Sequence, residues 1–298
     1  MCNPECRRLA PAPRVALAMR LAALALLVLA LALALAPLPG NAGEKSAEAW
    51  PASVKAQYRL RYNGIDVGHL EVNTNTAGNS YSLSGSAKVS VLFGAITWSG
   101  SSTVSGSIEE GAPAPATYAF EWRNNKKRGT VDIGFKDRVA AVVDVKPPQR
   151  VRADMVPLRP ADKVKVFDPM SAIMVLTKAD SRPPCDRRVG VFDGKQHYEI
   201  VFTPKRTTKL PSRSGAAASE IAHVCRITYE PVAGHRDNAD TKAYVANRDV
   251  EVVLRRIPGS DMLIPYSMTI PSAWGTGSMV AKRIEITTAT AGKIAFTD

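Results

Sequence analysis

From Gln57 onward, apolar and polar residues alternate in short runs, and each run is closed by a turn signal. Tyr58, Leu60 and Tyr62 alternate with Arg59 and Arg61, and Asn63-Gly64 follows at once. Ile65–Thr76 then returns, and Ala77-Gly78-Asn79 turns the chain again. Tyr81, Leu83, Gly85, Ala87 and Val89 share one face of a third run. A period of two places alternate side chains on opposite faces of a strand, so each run suits a sheet with one face buried. Many short runs of this kind, joined by turns, predict an all-β sandwich or barrel.

The rest of the chain continues the pattern. Val91–Ile96 is continuously apolar and predicts a bulge or bend, and Thr97–Ile108 is a long Ser/Thr-rich strand. Gly111–Pro115 is a Pro-marked loop, and the next strand carries Tyr118, Phe120 and Trp122 on one aromatic face. Thr130–Phe135 and Val139–Val145 follow, separated by Lys136-Asp137. After Cys225, Ala243–Ala246 begins a strand, and Val250–Leu254, Ile264–Ile270 and Val280–Ile286 supply the last three. No repeat recurs at a fixed period.

One helix interrupts the strands. Asp168 is a good N-cap, Pro169 suits the first helical position, and Met170, Ile173, Met174 and Thr177 recur at helical steps. The predicted helix runs from Asp168 to Lys178, and Pro183-Pro184 stops it. A lone helix cannot bury its apolar stripe by itself, so Met170, Ile173 and Met174 are expected against the concave sheet face, near Tyr118, Phe120 and Trp122. Beyond it, Asp193-Gly194 separates two β-prone runs, Arg188–Phe192 and Gln196–Thr203, and predicts a tight type I′ hairpin. Cys225 opens the next strand, His223–Tyr229.

The N-terminus reads as an export signal. Arg7, Arg8, Arg14 and Arg20 precede Leu21–Ala36, an almost pure Leu/Ala run. Gly40-Asn41-Ala42 then offers a cleavage site after Ala42. The rival reading is an uncleaved inner-membrane anchor, but the run of 16 residues falls short of the roughly 20 a spanning helix needs. The expected organisation is a signal peptide over 1–42, a flexible lead-in over 43–56 and one β domain over 57–298. The whole chain carries a formal charge of +12; the leader holds four arginines and one glutamate, so +9 remains on the rest.

Cys2 and Cys6 precede the apolar run, so Cys185 and Cys225 are the two cysteines left after cleavage. In an oxidising compartment such a pair is expected to form a disulfide. A metal site or a redox-active pair lacks the needed C-x-x-C spacing.

Several residues together carry a likeness: Gly68 near a Tyr-rich opening strand, and Asp168-Pro169-x-Ser171-Ala172 before a helix. Cys185 follows before Val191-Phe192-Asp193-Gly194-x-x-x-Tyr198, and Cys225-x-x-x-Tyr229-x-Pro231-Val232-x-Gly234 comes last. This set resembles domain-of-unknown-function family 3108, exported envelope proteins of Gram-negative bacteria without an assigned activity. The resemblance implies a curved, incompletely closed antiparallel β-barrel with a helix at or inside it, similar to periplasmic lipoprotein carriers. It supplies no catalytic residue.

Few motifs in the chain carry chemistry. There is no nucleotide-binding loop and no nucleophile elbow. His69, His197, His223 and His235 sit in no recognisable constellation. No catalytic residue, metal ligand or cofactor is assigned. Two basic segments remain: Arg123–Arg128, with Lys126, Lys127 and Arg128, and a second holding Lys205, Arg206, Lys209 and Arg213 in the connection before Cys225. Neither interleaves aromatics as nucleic-acid sites do. The leading expectation is a periplasmic, Sec-exported, non-enzymatic envelope protein with an acyl or other apolar ligand in its concave sheet. The alternative is a binding module for an anionic envelope polymer or lipid headgroup, and an uncharacterised hydrolase stands third.

Overall fold

The computed structural model describes residues 50–179, 182–210, 220–247, 249–288 and 292–297. The leader and the first half of the lead-in lie outside these residues. The first strand, β1 (Ser53–Tyr62), begins inside the stretch expected as a flexible lead-in, because Thr76 N–H and Oγ1 bond the Ala52 and Pro51 carbonyls.

A meander follows: β2 (Ile65–Ala77), β3 (Ser80–Val91), β4 (Ile96–Glu109), β5 (Ala112–Asn124), β6 (Arg128–Lys136) and β7 (Val139–Lys146). Asn63 and Gly64 both take positive φ, as a two-residue turn requires. Leu92–Gly94 is a short 3-10 turn between β3 and β4. The expected loop at Gly111–Pro115 is shorter, since β5 starts at Ala112 and Pro113 and Pro115 lie within it. Proline is tolerated there because β6 pairs only from Thr117 onward, leaving the proline stretch paired to β4 alone.

Helix α1 (Pro169–Leu176) follows, then β8 (Arg187–Phe192), β9 (His197–Leu210) and β10 (Glu220–Ala233). Helix α2 (Ala239–Ala246) lies where a strand was expected; Asn238 caps it, its side chain accepting from Thr241 N–H. The chain closes with β11 (Glu251–Arg256), β12 (Leu263–Ser272), β13 (Gly275–Thr288) and β14 (Gly292–Thr297), the last of which the alternation did not signal.

All neighbouring strands pair antiparallel, in the order β7-β6-β5-β4-β3-β2-β1-β13-β12-β11-β10-β9-β8, with β14 on β13. The path has two free ends, β7 and β8, and a short segment fills the gap between them. Val164 bridges Val139 of β7, and Phe167 bridges Val191 of β8. Phe167 N–H bonds Gly190 O at 2.9 Å, and Phe192 N–H bonds Phe167 O at 2.8 Å. The result is a nearly closed antiparallel barrel.

The β8–β9 hairpin seals the same seam. Its loop has four residues instead of the expected two-residue type I′ turn. The Asp193 carboxylate caps the loop, accepting from Lys195 N–H and Gln196 N–H at 2.8 and 2.7 Å. Only Gly194 takes positive φ, and a Cβ there would lie 2.4 Å from Val131 Cγ1 of β6.

Helix α1 is apolar on nearly every side, the mark of a helix inside a core. Ala172 and Leu176 join a cluster with Val189, Phe202 and Leu254, while Met174 joins Tyr81, Tyr118 and Ile133. The helix therefore packs between the two halves of the barrel. A third cluster, with Ile257, Ile284 and Ile286, lies under β13.

Candidate functional site

The disulfide forms as the compartment argument expected. Cys185 and Cys225 are bonded, with Cα atoms 5.2 Å apart, and both are buried. The bond ties the end of the α1 loop to β10. Buried Arg187 reinforces it, donating from Nη2 to Lys178 O and from Nη1 to Asp186 O, each at 2.8 Å.

Beside α1 the barrel encloses a cavity of about 440 Å³. This falls within the range of small-molecule sites. Its wall is drawn from alternate residues of β1 and β2, from β9 to β12, and from the helix, which contributes Met170, Ile173 and Met174. Trp50 and Pro51 also line it. No Asp, Glu, Lys, Arg or His is among the lining residues. Polar liners are few, and three of them donate to backbone carbonyls. Tyr58 Oη bonds Pro265 O at 3.0 Å, Thr76 Oγ1 bonds Pro51 O at 2.6 Å, and Thr177 Oγ1 bonds Ile173 O at 2.7 Å. Ile173 lines the cavity and is also 46% exposed, which places it at the opening.

Of the three β5 aromatics, Tyr118 and Phe120 lie near the helix as expected. Tyr118 is buried in the cluster with Met174, and Phe120 packs against that cluster. Trp122 lies by Gly129 of β6. None of the three lines the cavity. The wall comes instead from strands far apart in sequence, and only the pairing of β1 with β13 brings them together.

Near the helix start lies a buried polar group. Asp168 is fully buried, and its Oδ1 accepts from Met170 N–H and Ser171 N–H, both at 2.9 Å. Oδ2 has no hydrogen-bond partner among the described residues. Ser171 Oγ and Tyr81 Oη are 2.7 Å apart. Burial pushes the Asp168 carboxyl above the usual range, as it does that of Asp193, and it drives the Tyr81 and Tyr118 phenols up as well. Neither Asp168 nor Ser171 lines the cavity, so this group holds the helix and offers no acid or base to a ligand there.

A carboxyl whose folded pKa is raised favours the protonated folded state. Its stabilisation is fully present below the unfolded value of about 3.9 and is lost as pH rises through the folded value. Asn at this position keeps the capping oxygen without the charge. Asp168→Asn is therefore expected to flatten the fall in thermal midpoint between about pH 4 and pH 7 relative to the parent protein. Melting curves across that range check this; identical slopes would contradict it.

The two basic segments differ. Lys126, Lys127 and Arg128 are exposed at the β5–β6 turn, and no carboxylate among the described residues pairs with them. Lys205 and Arg206 were expected in a loop but lie on β9, where the β-branched Thr207-Thr208 pair continues the ladder to β10. Both meet Glu251, Lys205 through Nζ and Arg206 through Nη1 at 2.9 Å. Their charge is thus partly neutralised. Lys209 is also on β9, and Arg213 lies outside the described residues.

The family described as "Protein of unknown function (DUF3108)" matches residues 57–281. The chain belongs to that family. The DUF3108 match runs from Gln57, inside β1, through the first half of β13 and includes the β8–β9 hairpin, the disulfide and α1. A solved structure of a β-barrel-like protein of domain of unknown function DUF1849 from Brucella abortus is similar, with a TM-score of 0.50 and 12% identity. The alignment covers 80% of this DUF3108 chain and 99% of that one, and at this identity the likeness is one of fold alone. No curated protein matches the chain.

Proposed function

We propose that this protein is an exported, non-enzymatic envelope protein that holds the acyl chain of an amphiphile between α1 and the concave sheet. The observation that carries the reading is the cavity wall: about 440 Å³ of space lined without a single charged side chain. Such a wall offers nothing to activate a bond and much to receive hydrocarbon. About ten buried methylenes would contribute roughly 8 kcal/mol before association costs. Five methionines at the wall, Met170, Met174, Met262, Met268 and Met279, suit chains of varied shape, since thioether side chains adapt their rotamers. The leader pattern and the disulfide support an oxidising, periplasmic location. The experiment is mass spectrometry of lipid retained by protein purified without detergent, compared between the parent chain and Ile227→Trp. Ile227 is a half-buried wall residue, so a larger side chain there takes up cavity space.

A further inference from the structure

Four hairpin turns lie side by side along one edge of the sheet: β5–β6, β3–β4, β1–β2 and β12–β13. They are tied in pairs. Asn125 Nδ2 donates to Ala95 O at 2.8 Å, and Thr97 N–H donates to Asn125 Oδ1 at 2.6 Å. On the other side, Tyr62 Oη donates to Trp274 O and Thr276 N–H donates to Asn63 Oδ1, both at 2.8 Å. These ordered tips hold apolar side chains out in solvent: Trp274 is 88% exposed, Ile65 69%, Leu92 68% and Ile96 54%. Isolated exposed apolar residues are ordinary, but four on adjacent turns of one edge are not.

The charge on this edge is positive. Lys126, Lys127 and Arg128 form the β5–β6 turn, and Lys88 and Arg123 line the cleft beside it. The carboxylate of Asp66 is held by Arg61 at 2.7 Å. Apolar tips interspersed with unpaired cations match the boundary of an anionic bilayer, where a tryptophan sits at headgroup depth and lysines meet phosphates. We infer that this edge docks on the surface of an anionic lipid bilayer through Trp274, Leu92, Ile96 and Ile65, with Lys126, Lys127 and Arg128 on the headgroups. The inference is independent of the cavity, whose wall takes Val54–Tyr58 of β1 and Leu70–Thr76 of β2, away from these tips.

The test uses residues 48–298, a compact unit with every described strand, the three core clusters and the disulfide. It is mixed with vesicles of phosphatidylglycerol and phosphatidylethanolamine, or of phosphatidylcholine alone, and binding is read by co-sedimentation. Binding to the anionic vesicles is expected, with a blue shift of tryptophan emission and weakening in salt. Lys126→Glu/Lys127→Glu/Arg128→Glu and, separately, Leu92→Ser/Trp274→Ser are each expected to weaken it roughly tenfold or more while leaving the melting transition in place. Absence of binding to the anionic vesicles would overturn the inference. So would binding unchanged by the Leu92→Ser/Trp274→Ser pair, which would point to a polyanion partner met by charge alone.

Discussion

Replacing Cys185 and Cys225 together by serine is expected to lower the unfolding free energy by about 4 kcal/mol. The bond links positions 40 residues apart. Releasing a loop of that length returns about 4 kcal/mol of chain entropy to the unfolded state. Context adds to the effect. Both sulfurs lie in the cluster of Val189, Phe202, Val252 and Leu254, so two hydroxyls would be buried in place of an apolar bridge. The linked segment carries β8 and all of β9, the hairpin whose outer strand, β8, borders the barrel seam. Urea unfolding of the parent and double-serine chains under oxidising conditions checks this. Coincident midpoints would show that the bond contributes nothing to the fold.

Gly194→Ala should cost about 2–5 kcal/mol, as a sum of left-handed backbone strain and overpacking. Gly194 has φ of +92°, and an added Cβ would meet Val131 Cγ1 at 2.4 Å. Val131 is itself buried between neighbours on the short β6. Little can give way without moving the hairpin off the β6–β7 pair. Gly64 is the internal control: its φ is +81°, but an added Cβ meets nothing within 4 Å. Gly64→Ala should therefore show only the backbone component, about 1–2 kcal/mol. Thermal unfolding of the two variants separates the contributions. Equal losses would mean that the hairpin turn does not bear on the seam.

Much of the fold was legible because its signals are local. The Asn63-Gly64 turn and the alternation around Tyr58 and Tyr81 place the first strands within a few residues. Asp168-Pro169 marks the helix start through the capping bonds that then form. Other features carry no local signal. The seam rests on Val164 and Phe167, two isolated bridges in a segment too short to show a period. The hairpin loop was misjudged because the Asp193 side chain builds the turn and leaves one positive φ instead of two. Helix α2 was hidden because its alanines, tyrosine and valine fit a strand equally well, and only Asn238 marks its start.

The cavity was the least legible part. The helix residues were identified from their spacing, and Met170, Ile173 and Met174 do line it. Tyr118, Phe120 and Trp122 were expected near the helix, and Tyr118 and Phe120 do pack in the cluster of Met174 and Met170. None of the three lines the cavity, since alternation shows that they share a face but not which strands that face meets. The wall is instead set by β13 pairing with β1, some two hundred residues earlier, as the pairing of Tyr58 with Ala281 illustrates. Such long-range pairing depends on the whole sheet order and leaves no mark in any one run.

The proposed function requires that cavity to hold an acyl chain. Protein recovered from its expression host without detergent should, by native mass spectrometry, carry a mass adduct that organic extraction identifies as an acyl lipid. The Ile227→Trp chain, folded with the same melting behaviour, should carry the adduct at about a tenth of the parent's occupancy or less. A parent chain that appears only at its bare mass, or an adduct retained in full by Ile227→Trp, would contradict it.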